Sequence, residues 1–183
     1  MQYYPYSSSC GQLPAFLSDP CAAPEGGRLR HVAFVAPGVQ FADWGDPLEW
    51  QAKAAAGQVI LIPNTQGTYN GGESVTTEGF GETRQVATGR NHSATYAHRE
   101  VAGNTAFYDA LNFQQGWQFV FATENLLWLT HAPALVKAGA PVEAGVDSMV
   151  KWSVTVEWSS RQNPQPIPLP AGIFTLTAPG YGG

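Results

Sequence analysis

Residues 150–158 sort their side chains with a period of two: Val150, Trp152, Val154, Val156 and Trp158 fall on one side, Lys151, Ser153, Thr155 and Glu157 on the other. Only an extended strand separates residues in this way, so the segment predicts a β-sheet with one face in a core and the other wet or paired. The rest of the chain suits that requirement. Of its 183 residues 44% are hydrophobic and 12% aromatic, only 13% are charged, and 20 glycines and 14 prolines interrupt it frequently. Average domains carry about 25% charged residues, so this surface is poor in charge, and neighbouring subunits covering part of it would account for the shortage. The length fits one domain, at most with an ordered arm. Abundant apolar area argues against disorder. A net charge of −5 argues against a protein that grips DNA or RNA by its phosphates.

Residues 1–20 show no basic region followed by an apolar run, so no export signal is expected, and no apolar stretch approaches the length of a membrane span. Cys10 and Cys21 are the only cysteines. Without nearby histidines they make no zinc site, and free thiols are the default expectation. Asn91-His92-Ser93 matches a glycosylation tripeptide that the N-terminus gives no secretory reason to use.

Residues 1–27, rich in Tyr, Ser, Pro and Gly, read as an irregular arm, and the folded part is expected to begin at Arg28. Strands are expected at 29–36 and 59–62. Between them Asp46 as N-cap, Pro47 at the first turn and Glu49 as a capping-box partner open a short helix that Gly57 stops. Residues 63–72 read as a turn-rich, exposed loop. Residues 74–77, 83–88 and 93–101 read as three short polar strands separated by Gly79, Gly81, Gly89 and Arg90-Asn91. A helix is expected from Asn104 to Gln114, with Phe107, Ala110 and Leu111 on its inner face. Strands at 117–123 and 126–130 join through Glu124-Asn125, and 134–138 is a further candidate. Proline recurs at every second position from Pro164 to Pro170, which excludes a central strand. Residues 173–177 are apolar enough to dock, on a neighbouring subunit or on their own domain. No internal repeat is visible.

For chemistry the sequence offers little. The histidines at 31, 92, 98 and 131 form no HExxH or helical pair, and GxSxG, Walker A and GxGxxG signatures are absent. His92 and His98 are six apart and would share one side of a sheet, with surface positions the expected explanation. Glu73 with Glu78 or Glu82 could supply a glycosidase-like carboxylate pair only if the fold set them across a bond. Trp44, Trp50, Trp117, Trp128, Trp152 and Trp158, with Tyr69, Tyr96, Tyr108 and Tyr181, could form a sugar-stacking platform, but their phase with valines and phenylalanines favours a core or an interface. No catalytic, cofactor-binding or metal residue is assigned, and a non-enzyme is expected.

From residue 73 to 130 the order is a turn-rich loop, a polar hairpin containing Thr88-Gly89-Arg90-Asn91-His92, the helix from Asn104 to Gln114, then the paired strands Trp117-Gln118-Phe119-Val120-Phe121 and Leu126-Leu127-Trp128-Leu129. This order resembles the tail tube proteins of long-tailed bacteriophages and related injection machines, and the resemblance takes in residues 28–160. It implies a mainly β fold, a small β-barrel or sandwich with one or two short flanking helices and extended terminal arms. It further implies self-association into stacked rings, usually hexameric, contacts with other tail proteins, DNA passing through a channel without being held, and no membrane. The expected location is the virion, after synthesis in the host cytoplasm. The expected organisation is an arm at 1–27, the β-rich domain at 28–160 and a Pro-rich extended arm at 161–183. Another particle protein, such as a decoration or connector protein, and a carbohydrate-binding sandwich remain the alternatives.

Overall fold

The computed structural model describes residues 25–78, 85–142 and 149–174. Two antiparallel sheets face each other as a sandwich; they do not close into a barrel. The first contains β1 (His31–Val35), β2 (Val59–Ile62), β6 (Gln118–Ala122), β7 (Leu126–Pro133) and β10 (Gln165–Pro168), in the order β10-β7-β6-β1-β2. The second contains β3 (Gln66–Tyr69), β4 (Glu73–Glu78), β5 (Gln85–His98), β8 (Leu135–Gly139) and β9 (Trp152–Ser160), in the order β3-β5-β9-β8 with β4 also on β5. Helix α1 (Pro47–Ala55) follows β1, and α2 (Thr105–Phe113) follows β5. No helix among the described residues is long and apolar enough to cross a membrane.

The core between the sheets is aromatic. Phe34, Phe119 and Phe121 meet Tyr96, Trp152, Val154, Val156 and Trp158 from the facing sheet. The alternation of residues 152–158 is therefore an inner face, while Ser153 and Lys137 stay exposed on the outer one. The first sheet differs because it is covered on both faces. Its outer side carries Ala33, Val35, Val120, Leu127 and Leu129 against Trp50 of α1 and Ile173. Double burial explains why β1 and β6 read as unbroken apolar runs instead of alternating ones. Trp50 is fully buried, and its indole N–H donates to the Trp44 carbonyl at 2.8 Å.

Two crossings stitch the sheets together. Leu29 bridges Gly67 of β3, and Arg30 N–H donates to Ala122 O of β6. On the other side β7 bulges: His131 takes φ 52°, the register against β6 shifts, and the chain passes through Ala134 into β8. A bulge at a sandwich edge bends a strand in this manner, and here it carries one strand from sheet to sheet.

Several expectations are corrected. Residues 63–72 are not an open loop, because Gln66–Tyr69 pair with β5. Strands expected at 83–88 and 93–101 are one strand; Gly89-Arg90-Asn91 runs straight through because β4 pairs with all three and β9 with the last two. On α2 the buried residues are Tyr108 and Leu111, and Ala110 is exposed. Asn104 is the N-cap residue but its side chain donates to Glu100 O instead of capping. Asp46 caps α1 through Leu48 N–H as expected, whereas Glu49 accepts from Ala42 and Asp43 and makes no capping box.

The C-terminal segment is not an extended arm as far as residue 174. Gln165–Pro168 form the edge strand β10 on β7, Pro164 and Pro170 are buried, and Ile173 lies in the outer cluster of the first sheet. Leu169 N–H donates to Asn125 O, so the odd-numbered residues turn their donors inward and the prolines sit where no donor is needed. At the other terminus Glu25 holds the β6–β7 turn: its carboxylate accepts from Thr123 Oγ1, Asn125 N–H and Asn125 Nδ2. Those bonds, the Asn125 backbone donor first, pull the Glu25 carboxyl down to about 2. Residues 1–24, with Cys10 and Cys21, lie outside the described residues, as do 79–84, 143–148 and 175–183.

Candidate functional site

The element that leaves the sandwich is the far half of a long hairpin. Residues 66–69 and 73–78 run antiparallel to the whole of β5, with Gly71 and Gly72 between them at φ 79° and 80°. The β9 ladder stops at Ser160 opposite Arg90. Beyond that point β4 and residues 85–89 of β5 form a two-stranded ribbon, and every residue of β4 is exposed. Its described side chains are mostly polar, with Val75 the one large apolar residue and 36% exposed. A register shift at Val75/Thr76 gives it a local bulge, and Thr88 Oγ1 donates to Val75 O across it.

The root of the ribbon is tied by buried polar groups. His92 of β5 is 2% exposed. Its Nδ1 lies 2.7 Å from Tyr69 Oη of β3 and its Nε2 3.0 Å from Ser160 Oγ of β9, while Ser160 Oγ donates to Gln162 O. The ring stacks on Trp158 at 5.1 Å and 9°. Gly72 passes so close that a β-carbon there would sit 2.5 Å from the imidazole. Asn70 completes the anchor by accepting from Gly72 and Ser93 N–H, and Arg90 donates to Gly72 O.

A Ser-His pair at hydrogen-bond distance invites comparison with a nucleophile and its base. The direction of the bonds decides against it. Ser160 spends its only proton on Gln162 O, so toward His92 it can only accept, and Nε2 must carry the hydrogen. Nδ1 is then the acceptor for the Tyr69 hydroxyl. Every donor in the Tyr69–His92–Ser160–Gln162 chain is satisfied with the proton flow reversed from that of an activated serine. Burial first, then the Arg90 guanidinium, holds the His92 imidazole below its ordinary value of 6.5, which keeps it neutral and suited to this role.

The histidines expected on the surface are therefore turned inward. His98 shares the inner side of β5 with His92, lies near Tyr108, and is likewise lowered, by burial. Six strand residues separate the two by about 20 Å. Among the described residues no group of three His, Cys, Asp or Glu could hold a metal ion. Glu73 and Glu78 lie five residues apart on one strand, about 17 Å, too far for a carboxylate pair; Glu82 lies outside the described residues. All six tryptophans pack into the two clusters, and Trp50, Trp152 and Trp158 are buried, so no stacked set of them faces outward. Tyr96 and Tyr108 are buried as well, and burial raises both, Tyr108 to about 12. Tyr181 is outside the described residues.

The ribbon was missed as a unit because its glycines mimic turns. The signal that could have found it is the β-rich run Val86-Ala87-Thr88 leading without proline into Ser93-Ala94-Thr95-Tyr96. Comparison with family profiles, curated proteins and solved structures gives no match in any of the three.

Proposed function

We propose that the chain is a self-assembling structural protein of the tail tube kind, whose copies associate into rings that stack around a channel. The observation that supports this reading is the ribbon. A two-stranded hairpin is at best marginally stable alone in water, and an unpaired edge invites another chain. Here the edge of β5 beyond Arg90 is unpaired by β9, and the ribbon is held rigidly at its root by the His92 chain. Near the opposite end of β5, on the side of β8 and β9, large apolar side chains are exposed. Phe113 at the end of α2 is 87% exposed, Val142 81% and Met149 69%, next to the β8–β9 end of the second sheet. Two unlike ends on one axis suit a head-to-tail contact, and such contacts generate rings or filaments. The net charge of −5 suits a channel that lets DNA slide without holding it.

The test is light scattering and negative-stain microscopy of the full chain beside a variant in which an Asn-Gly turn joins Ser74 directly to Arg90. Rings or tubes from the natural chain, and folded monomers from the shortened one, are expected. A natural chain that stays monomeric across salt conditions, or a shortened one that assembles equally well, overturns the proposal.

A further inference from the structure

The end of the sandwich opposite the ribbon holds a cleft of about 590 Å³ whose lining includes Arg28, Arg30 and Arg99, His31, His98 and Thr65. The chain has only nine Lys and Arg residues, and three of them converge here against one lining carboxylate, Glu100. In a protein of net charge −5 such convergence opposes the overall balance. Arg30 is bound to Glu124 at 3.3 Å, but Arg28 and Arg99 make no ion pair among the described residues.

Two buried polar atoms strengthen the case. Thr65 is 2% exposed, and among the described residues its Oγ1 has no hydrogen-bond partner, nor has the buried His98 Nδ1. Buried polar atoms are nearly always paired in folded proteins, and those that are not call for a ligand, water or function. Three of the lining residues, His31, Asn64 and Thr65, are held in place. Asn64, at φ 57°, donates its N–H to His31 Nδ1 at 3.1 Å, which leaves the imidazole proton on Nε2 as a donor, and Thr65 N–H donates to Arg30 O. His31 is further held by stacking on Phe174 at 4.8 Å.

We propose that this cleft is an oxyanion site, taking a phosphate or carboxylate group between the Arg28 and Arg99 guanidinium groups. Guanidinium forks match the paired oxygens of either group, and the fixed His31 imidazole N–H supplies a donor beside them. The proposal does not depend on assembly.

The test is isothermal titration of the full chain with sodium phosphate and, separately, sodium glutarate, against sodium chloride at matched ionic strength. Saturable one-to-one binding of phosphate or glutarate is expected, weakened at least tenfold in Arg28→Ala and Arg99→Ala and only partly in Arg99→Lys, which keeps the charge without the fork. Phosphate alone binding identifies a phosphate-bearing ligand; glutarate binding identifies an acidic side chain or small carboxylate. Heat released equally by chloride, or binding unchanged in both alanine variants with native circular dichroism, overturns the proposal.

Discussion

Gly71 and Gly72 are adjacent, have nearly the same φ, and differ in what lies beside them: open space at Gly71, the His92 ring at Gly72. Alanine at either position meets the left-handed penalty of about 1 kcal/mol. Gly72→Ala must also displace a buried, hydrogen-bonded ring, so its loss of stability in urea titrations should clearly exceed that of Gly71→Ala. Equal losses would mean that the ring yields freely and that the root of the ribbon is soft. His92 itself makes a pH prediction. The unfolded chain takes up a proton near pH 6.5, while the folded one resists it because burial and Arg90 lower the imidazole. The unfolded state therefore binds more protons in acid, and this contribution is complete above about 6.5 and lost as pH falls below it. His31 and His98 have the same sign. Melting temperature should fall between pH 7.5 and 5.5, less steeply in His92→Phe. That variant should itself lose about 1–3 kcal/mol at neutral pH by leaving Tyr69 and Ser160 without their partner.

Edges decide how the elements behave. The outer edge of β8 is occupied by a side chain: Asn112 of α2 donates to Ala138 O at 3.0 Å and accepts from Ala138 N–H at 2.6 Å, taking the place of another strand. Asn112→Ala leaves both backbone groups without that partner, and a loss of about 1–3 kcal/mol with increased light scattering on warming is expected. Asn112→Asp keeps the acceptor and loses the donor, and should fall between. The edge of β10 is blunted by Pro166 and Pro168 instead. Strand β9 was legible in the sequence because its two faces meet different surroundings. Strand β5 was not, since Gly89-Arg90-Asn91 carries local turn chemistry that long-range pairing with β4 and β9 overrides. The same holds for β3, a four-residue strand among glycines and asparagines whose partner lies about 28 residues downstream. Nothing local in the sequence marks Asn112 as an edge cap or Thr65 as a cleft residue, because both roles arise from elements distant in the chain.

At the scale of the whole molecule, the segment after β9 belongs to the fold. Removing residues 163–183 takes away β10 and the buried side chain of Ile173 from the outer face of the first sheet. Losing one such side chain typically costs about 2–5 kcal/mol, so the shortened chain should melt far lower by circular dichroism, and a melting curve unchanged by the truncation would show that the segment is only loosely attached. Sequence alone left self-docking and docking on a neighbour open; the choice rested on whether the first sheet has an apolar outer face, which only its two-sided burial reveals.

The continuity of β5 has a mechanical meaning. One strand of 14 residues joins the ribbon to the far end of the sandwich, and nine of its residues are paired to β9. Tension applied to the ribbon along that direction loads the nine pairs together in shear, whereas tension across it would peel them apart one after another. A subunit built this way is a strut along one axis and compliant along the other.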